Sequence, residues 1–183
     1  MLIAVFADSH GELDAMCAAI DEHRPDMALH LGDYARDAEE LQRLYPRLDI
    51  RYVRGNCDRW ESDAADFLRF SADGVGIYMT HGHRQNVKMT LDALANTVHF
   101  SGARLGLFGH THCSEYKKMG DVVLFNPGSV GRGRRSYGLI TVKGTEFRCK
   151  LMDARERPLS PAAAGASARP AAGRWPGTAG RYI

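Results

Sequence analysis

The feature of this 183-residue chain that most constrains its fold is a repeated pattern in which an apolar run stops abruptly at a residue able to bind a metal. Short apolar runs bounded by turn residues are typical of buried strands. Five runs end in this way, and the polar residues that follow them are Asp8 with His10, Asp33, Asn56, His81, and His110 with His112. Because α/β proteins bind ligands at the carboxyl ends of their strands, the pattern predicts one rim with seven oxygen and nitrogen ligands.

The order of apolar runs and amphipathic stretches predicts an α/β protein. In the first half, strands are expected at residues 2–7, 27–31 and 50–53, and helices at 11–23 and 35–45. This alternation favours parallel strands joined by helical crossovers. In the second half, strands are expected at 75–79, 105–108, 122–125, 137–142 and 146–152, with a helix at 86–97 and a hairpin turn at 143–145. Because of the hairpin, this half is expected to be more antiparallel.

Composition and charge narrow the class of protein. The chain is 44% hydrophobic and 25% charged, with a formal net charge of +2, which provides no general attraction to nucleic acid or to a membrane. It has no apolar run of about 18 residues and no basic leader before its first apolar run. The four cysteines are far apart and form no C-x-x-C motif, as expected for reduced thiols. We therefore expect a cytoplasmic protein with no membrane association and no specific nucleic-acid partner.

The last 30 residues differ from the rest of the chain. Seventeen of them are Ala, Pro or Gly, five are Arg and one is acidic. Such a segment has too few periodic apolar residues to form a core, so we expect a folded domain over 1–153 and a disordered tail over 154–183. The alternative is that the tail is a weak basic contact segment for an anionic partner.

Each ligand motif also has a purely structural interpretation. Asp8 and Asp33 could each cap the helix that follows, Asn56 stands in a common turn sequence, and the two His-x-His motifs could lie in polar loops. All of these interpretations would have to hold together to remove the site. Five of the eight histidines lie between residues 81 and 112, and this clustering favours a shared site.

The ligand types indicate which metals such a site would bind. Carboxylates, imidazoles and an amide without thiolates are suited to borderline or hard divalent ions, with Mn²⁺ first and Ni²⁺, Fe²⁺ and Zn²⁺ as alternatives. Two carboxylates and four or five imidazoles exceed the need of one ion. They favour two ions about 3.5–4 Å apart, sharing a carboxylate and a bridging hydroxide and clamping an in-line displacement. The positive surplus of such a centre is suited to a phosphoryl group.

The motifs together resemble those of the calcineurin-like metallophosphoesterase superfamily. They are, in chain order, D-x-H at 8–10, G-D at 32–33, G-N-x-D at 55–58, H-G-H at 81–83 and G-H-T-H at 109–112. The small size and the N-P-G-S segment at 126–129 are similar to the YfcE-type phosphodiesterases of that superfamily. The resemblance covers roughly residues 1–152 and implies a four-layer α/β/β/α sandwich of two mixed sheets flanked by helices, with the metals at the strand tips.

The resemblance also implies a role for each motif residue. Those expected to hold the two metals are Asp8, His10 and His112 for the first, Asn56, His81 and His110 for the second, and Asp33 as the bridge. A hydroxide between the metals would attack phosphorus, and Asn56 would also orient a phosphate oxygen. Asp58 would support the site from behind, although it could instead be only a turn residue. Ser129 would support the site by packing, and Gly109 is expected to free the backbone to turn.

Cys57 departs from the family pattern. Many members have His after the Gly-Asn pair, where it can protonate the leaving group. A neutral thiol is a poor acid for an alkoxide near pH 7. We therefore hypothesise that leaving groups of low pKa are favoured, or that His83 supplies the proton.

Three arginines follow the N-P-G-S segment. Arg132, Arg134 and Arg135 could lie near the mouth of the site and bind a second phosphate or a sugar–phosphate chain. The alternative is a solvated loop.

Sequence analysis thus predicts a dinuclear metal-dependent phosphoesterase acting on a small phosphate ester, a phosphodiesterase in the first instance, with monoesterase activity and a homo-oligomer left open. The alternative is a non-catalytic protein-interaction scaffold on the same fold. The retromer scaffold subunit resembles this family but has a degraded metal site, whereas all seven positions here carry competent ligands. A structural zinc protein is disfavoured because the cysteines, apart from Cys113, are not grouped near the histidines. A serine hydrolase is disfavoured because the chain has no G-x-S-x-G motif.

Overall fold

The computed structural model describes residues 1–58 and 63–154. The elements of the first half are β1 (Leu2–Phe6), α1 (Leu13–His23), β2 (Met27–His30), α2 (Ala35–Leu44) and β3 (Asp49–Tyr52). Strand β2 pairs in parallel with both β1 and β3. The predicted βαβαβ unit is therefore confirmed, and the carboxyl ends of its three strands lie at one edge of the sheet.

The second half contributes strands to both sheets. Its elements are β4 (Phe67–Ala72), β5 (Val75–Thr80), a short 3-10 helix (His83–Gln85), α3 (Asp92–Phe100), β6 (Leu105–Leu107), β7 (Ser114–Met119), β8 (Val122–Pro127), β9 (Ser136–Lys143) and β10 (Glu146–Asp153). The two five-stranded sheets have the orders β10-β9-β1-β2-β3 and β4-β5-β6-β8-β7. The predicted hairpin is confirmed, because β9 and β10 pair antiparallel and add to the first sheet.

Three apolar clusters show how the layers stack. The central cluster joins the inner faces of the two sheets, for example Val5 and Leu29 with Ile77 and Leu107. A second cluster packs α1 and α2 against the outer face of the first sheet. A third packs α3 against the outer face of the second sheet. The expected four-layer α/β/β/α sandwich of two mixed sheets is therefore confirmed.

The expectation of a more antiparallel second half is confirmed for β9 and β10 and for the edges of the second sheet, where β4 and β7 pair antiparallel. It does not hold at the centre of that sheet, where β6 pairs in parallel with both β5 and β8. Neither edge strand was predicted, because their side chains are mostly polar or exposed and neither has the continuous apolar run of a buried strand.

The helix expected at 86–97 begins later, at Asp92. Asn86 has a φ of 54°, which a right-handed helix cannot contain, and the Thr90 hydroxyl accepts the N–H of Asp92 at 3.2 Å. Val87 and Leu91 are buried, but they lie in the segment before the helix. The helix was therefore predicted correctly and its start wrongly.

The described residues contain no helix long and apolar enough to cross a membrane. Ala154, which was assigned to the tail, is buried and donates its N–H to the Arg135 carbonyl oxygen at 3.0 Å. The rest of the predicted tail lies outside the described residues.

Candidate metal centre

The strand ends of the two sheets are joined by backbone contacts at one rim. The N–H of Asp8, after β1, donates to the Gly32 carbonyl oxygen after β2 at 3.1 Å. The N–H of Gly109, after β6, donates to the His81 carbonyl oxygen after β5 at 3.1 Å. The N–H of His110 then crosses between the sheets to Asp8 Oδ2, also at 3.1 Å. The strand ends that were predicted from separate motifs therefore lie together at one rim.

Two glycines permit this close approach. A Cβ at Gly55 would lie 2.2 Å from Asp33 Oδ1, and one at Gly109 would lie 2.9 Å from the Ala7 Cβ. Gly109 does not have a positive φ, so the expectation that it frees the backbone to turn is wrong. The turn is made by His110 and His112, whose φ values are 68° and 58°.

Left-handed backbone is concentrated at the predicted ligands. Nine described residues other than glycine have a positive φ, and five of them are Asp8, His10, Asp33, His110 and His112. Such conformations cost free energy in residues with a Cβ and often mark functional sites. This local cost is offset by the contacts that hold the rim together.

Asp8 and Asp33 do not act as helix caps. Helix α1 has Glu12 and helix α2 has Tyr34 at the capping position, and neither makes a capping hydrogen bond through its side chain. The structural interpretation of these two carboxylates is therefore wrong, which leaves their oxygens for the rim.

One group of side chains converges around Asp8. The potential ligand atoms of Asp8, His10, Asp33 and His112 all lie within 4.8 Å of one another. His112 Nε2 is 3.4 Å from Asp8 Oδ1 and 3.4 Å from His10 Nε2. This group contains the three residues expected for the first metal and the expected bridge.

A second group converges on His81 Nε2. Its distances are 3.1 Å to Asn56 Oδ1, 3.2 Å to His110 Nδ1 and 3.4 Å to Asp33 Oδ1. His81 Nδ1 is 2.8 Å from the Leu31 carbonyl oxygen, which can only accept, so Nδ1 carries the hydrogen. In the neutral ring Nε2 is then a lone-pair atom that faces oxygen lone pairs, an arrangement that a cation between them would stabilise.

Burial sets the charge state of the rim. Burial, with the nearby charge of Asp33, raises the pKa of Asp8 to about 8, and burial lowers the pKa of His81 to about 4. Burial also lowers the pKa values of His10, His110 and His112. The imidazoles are therefore neutral near pH 7, which is the form that binds metals.

Unpartnered atoms provide a direct test of whether these residues fit a metal. Within the described residues, three buried side-chain nitrogen or oxygen atoms have no hydrogen-bond partner, namely Asp8 Oδ1, His10 Nδ1 and His83 Nδ1. Leaving such groups unpaired is costly, so they indicate an absent ligand or a functional role. All three belong to predicted site residues, and the carboxylate and imidazole donors are suited to divalent cations.

The other predicted site residues lie next to these groups. Asp58 accepts N–H donors from Ala35 and Gly55, each at 2.7 Å, and so supports the turn that carries Asn56. The His83 ring lies 5.4 Å from the His81 ring and borders the second group. The Cys57 N–H donates to Asp33 Oδ1 at 2.8 Å, and its thiol is exposed. Burial, together with the hydrogen bond to Asp33, raises the pKa of that thiol to about 11.

Several contacts that support the site could not be predicted from the sequence. Asn126 is buried and donates through Nδ2 to the Gly109 carbonyl oxygen and to the Thr111 hydroxyl, each at 3.0 Å, which fixes the loop that carries both histidines. Ser129, expected to support the site, donates to the Asp8 carbonyl oxygen at 2.8 Å. Behind the rim, His30 Nε2 is 2.9 Å from the Ser9 hydroxyl, which donates to Asp37 at 2.7 Å.

The three arginines expected at the mouth are not equivalent. Arg135 pairs with Glu12 and donates to the Val130 carbonyl oxygen, so it is engaged by the protein itself. Arg132 is exposed, and its charge acts on His10 and His112. Arg134 is also exposed. The expectation is thus wrong for Arg135, whereas Arg132 does lie beside the rim.

Sequence comparisons find relatives over most of the chain. The profile of the calcineurin-like phosphoesterase superfamily domain matches residues 1–145. The "Probable metallophosphoesterase YsnB" of Bacillus subtilis is 29% identical over 160 residues, which cover 84% of this chain and 91% of that protein. The phosphodiesterase YfcE of Escherichia coli K12 is 28% identical over 152 residues, which cover 76% of this chain and 77% of YfcE.

Solved structures share the fold at lower identity. A predicted phosphoesterase from Streptococcus pneumoniae TIGR4 aligns with a TM-score of 0.73 at 24% identity and covers 87% of this chain and 92% of its own. Vacuolar protein sorting 29 from Cryptosporidium parvum aligns with a TM-score of 0.69 at 16% identity and covers 85% and 92%. These likenesses establish the architecture alone.

Proposed function

This chain belongs to the calcineurin-like phosphoesterase superfamily, and on that premise we propose that it is a dinuclear metal-dependent phosphodiesterase. The observation that carries the proposal is the convergence of seven ligand-type side chains in two groups that share Asp33. The relatives described as metallophosphoesterase and phosphodiesterase support the reaction class. A small phosphate ester is the proposed substrate.

In this proposal Asp8, His10 and His112 hold one divalent ion, His81, His110 and Asn56 hold the other, and Asp33 bridges. The ions would be Mn²⁺ first, with Ni²⁺, Fe²⁺ or Zn²⁺ as alternatives. Bound there, they would neutralise the phosphate and lower the pKa of a water, the source of the hydroxide for in-line attack on phosphorus. The neutral imidazoles and the unpartnered Asp8 Oδ1 support this assignment.

The protein's own groups would orient the ester and handle the proton. Asn56 is exposed at the rim, and its amide nitrogen, 3.4 Å from Cys57 Sγ, could donate to a phosphate oxygen. Asp58 is proposed as a positioning residue, because it acts through the backbone N–H of Gly55. His83 in its protonated form is proposed as the proton donor to the leaving group, since the Cys57 thiol, with a pKa of about 11, is a poor acid near pH 7. Burial lowers the pKa of His83, so we expect this proton donation to be favoured at acidic pH.

The remaining parts of the proposal concern the whole chain. Residues 1–153, together with the buried Ala154, are proposed as the catalytic domain, and the rest of the chain as a separate tail. The four cysteines are free thiols, which supports a cytoplasmic location. No observation within the described residues favours the scaffold alternative, because every one of the seven ligand positions is filled by a competent donor.

A panel of metals against substrates tests the function. Metal-free protein is supplied in turn with Mn²⁺, Ni²⁺, Fe²⁺ and Zn²⁺ and assayed on bis(p-nitrophenyl) phosphate and p-nitrophenyl phosphate. We expect the diester to be hydrolysed faster than the monoester. The hydrolysis rate of His110→Ala should fall by more than the roughly 10–100-fold typical of substitutions beyond the metal ligands. The exposed His99 provides a matched control, His99→Ala, that should leave the rate unchanged. No turnover with any metal, with Asp33→Ala behaving like wild type, would reject the proposal.

A further inference from the structure

The cations around the rim fall into two kinds. Arg54 Nε lies 2.6 Å from Asp66 Oδ1, and Arg84 Nη1 lies 3.0 Å from Asp66 Oδ2. Arg135 is likewise paired, with Glu12. By contrast, within the described residues the side chains of Lys88 and Arg132 have neither a hydrogen bond nor a carboxylate partner. The paired cations contribute to structure, whereas Lys88 and Arg132 are free to bind an external anion.

Lys88 is held beside the second ligand group. The preceding residue, Val87, packs against Gly82 so closely that a Cβ there would lie 2.9 Å from the Val87 Cγ2. Gly82 stands between His81 and His83, so the segment that carries Lys88 is anchored on the rim. Besides burial, the charge of Lys88 acts on the pKa values of Asp8, His110 and His112, lowering each of them. Lys88 is exposed, so its ammonium group is free to bind an anion at the edge of the rim.

Arg132 is held beside the first ligand group. Its backbone N–H donates to the Ser129 hydroxyl at 2.8 Å, and that hydroxyl donates to the Asp8 carbonyl oxygen at 2.8 Å. A Cβ at Gly131 would lie 2.0 Å from the Ser9 carbonyl oxygen, so this loop lies directly on the backbone after β1. The loop thus fixes Arg132 at the edge of the rim.

The two cations are anchored beside different ligand groups. The segment before Lys88 packs on Gly82, next to His81 of the second group, whereas the loop before Arg132 packs on Ser9, next to Asp8 of the first. We propose that Lys88 and Arg132 form an anion-binding subsite that selects phosphodiesters with a second phosphate group beside the scissile one. The inference rests on the proposed function, whose substrate class it narrows.

Charge is the physical basis of this selection. A diester has one negative charge, which the proposed centre already balances. Two further cations without carboxylate partners leave positive charge beside a metal-loaded site, and an additional anion would reduce this repulsion. A phosphate monoester group supplies about two negative charges and several acceptor oxygens, which are suited to an ammonium and a guanidinium.

A pair of substrates that differ in one phosphate tests the subsite. Thymidine 5′-(p-nitrophenyl phosphate) and its 3′-phosphorylated form lose the same p-nitrophenolate as water adds to the same phosphorus. We expect wild type to favour the 3′-phosphorylated ester in kcat/KM by about tenfold, equivalent to about one charge-assisted contact. Lys88→Gln and Arg132→Gln should each reduce this preference, and the double variant should abolish it. The exposed Lys143 provides the control, Lys143→Gln, which should keep the preference.

Binding separates this inference from the proposed function. Calorimetry of the Mn²⁺-loaded protein should show tighter binding of thymidine 3′,5′-bisphosphate than of thymidine 5′-monophosphate, and the double variant should lose the difference. If both esters are hydrolysed but the preference is absent, or if it survives in the double variant, the subsite is refuted and the function stands. If the variants lose kcat/KM equally on both esters, the cations act on the scissile phosphate, and this result also refutes the subsite. If wild type hydrolyses neither ester, the function fails and the calorimetry alone decides the subsite.

Discussion

His110 and His112 are separated by a single residue, yet their side chains lie in different ligand groups. His110 Nδ1 is 3.2 Å from His81 Nε2, whereas His112 Nε2 is 3.4 Å from Asp8 Oδ1. Both residues have a positive φ, which turns the backbone sharply between the two rings. The proposed centre therefore depends on each histidine in a different way.

Replacing His110 and replacing His112 should each weaken the binding of a different metal ion. His110→Ala removes a ligand of the second group and His112→Ala one of the first, so each variant should retain one strong Mn²⁺ site. The other site should weaken by at least roughly 10–100-fold, the loss typical of substitutions in metal sites. Calorimetric titration of Mn²⁺ into metal-free protein measures both affinities, with His99→Ala as control. Loss of both sites in either variant, or of neither, would contradict the assignment.

Cys57 should make the rate depend on the leaving group. With a thiol pKa of about 11, wild type is expected to hydrolyse p-nitrophenyl esters much faster than phenyl esters. Cys57→His supplies an acid of suitable pKa and should raise the phenyl ester rate more than the p-nitrophenyl rate. If His83 donates the proton, His83→Ala should lower the phenyl ester rate more than the p-nitrophenyl rate. Rates on a series of aryl methyl phosphates measure the dependence, and the same slope in all three proteins would reject this idea.

The role of a residue could be predicted where a ligand-type side chain follows the end of a predicted strand. All seven expected ligands follow strand ends, and a strand end has a predictable place in an α/β sheet. Lys88 follows no strand end, so this rule did not find it. Asn126 does follow a predicted strand, but its hydrogen bonds to the loop at 109–111 could not be predicted, because that loop is distant in the chain. The wrong expectation for Arg135 has the same origin, since its partner Glu12 lies at the other end of the domain sequence.

At the level of elements, Asp58 links the turn after β3 to the start of α2. One carboxylate oxygen accepts the Ala35 N–H at the first residue of the helix, and the other accepts the Gly55 N–H. A carboxylate at a helix N-terminus is favoured by the helix dipole and by the free N–H groups there. The same side chain thus stabilises α2 and fixes the turn that carries Asn56.

Removing Asp58 should therefore affect stability and activity together. We expect Asp58→Ala to lower the free energy of unfolding by about 1–3 kcal/mol, because it leaves two N–H groups unpaired. Asp58→Asn retains one acceptor and should lose less. Urea unfolding measures the stability, and the Asn56 turn can be followed through kcat. If Asp58→Ala retains wild-type stability, the link between the two elements is wrong.

Strands and helices could be predicted where burial leaves a clear pattern of apolar residues in the sequence. The parallel strands at the centre of each sheet are covered on both faces and have continuous apolar runs. Edge strands β4 and β7 face solvent and have no such run. The start of α3 depends on the left-handed Asn86, which the spacing of apolar residues cannot reveal.

At the scale of the whole molecule, His30 couples folding to pH. It is fully buried, accepts the Gly32 N–H through Nδ1 at 3.3 Å, and lies 2.9 Å from the Ser9 hydroxyl. Burial lowers its pKa from 6.5 to about 4. The unfolded chain therefore binds more protons than the folded one between these values, and stability falls as the pH drops from about 6.5 to about 4.

Replacing His30 should flatten this dependence. His30→Gln should destabilise the protein at neutral pH. Between pH 6.5 and 4, however, its free energy of unfolding should fall by up to roughly 3 kcal/mol less than that of wild type, which is the free energy equivalent to the pKa shift of His30. Urea unfolding with a chelator present, so that metal affinity does not contribute, measures both slopes. The exposed His99 again provides a control, His99→Gln. Parallel pH profiles for wild type and His30→Gln would contradict the account.

The central claim is that two ions at one carboxylate-bridged rim make this chain a phosphodiesterase. The most direct test is to titrate metal-free protein with Mn²⁺ at a protein concentration well above the dissociation constants while following hydrolysis of bis(p-nitrophenyl) phosphate. The account predicts that the rate rises until two equivalents are bound and then stays constant. A rate that saturates at one equivalent, or that never exceeds the rate with Mn²⁺ alone, would contradict it.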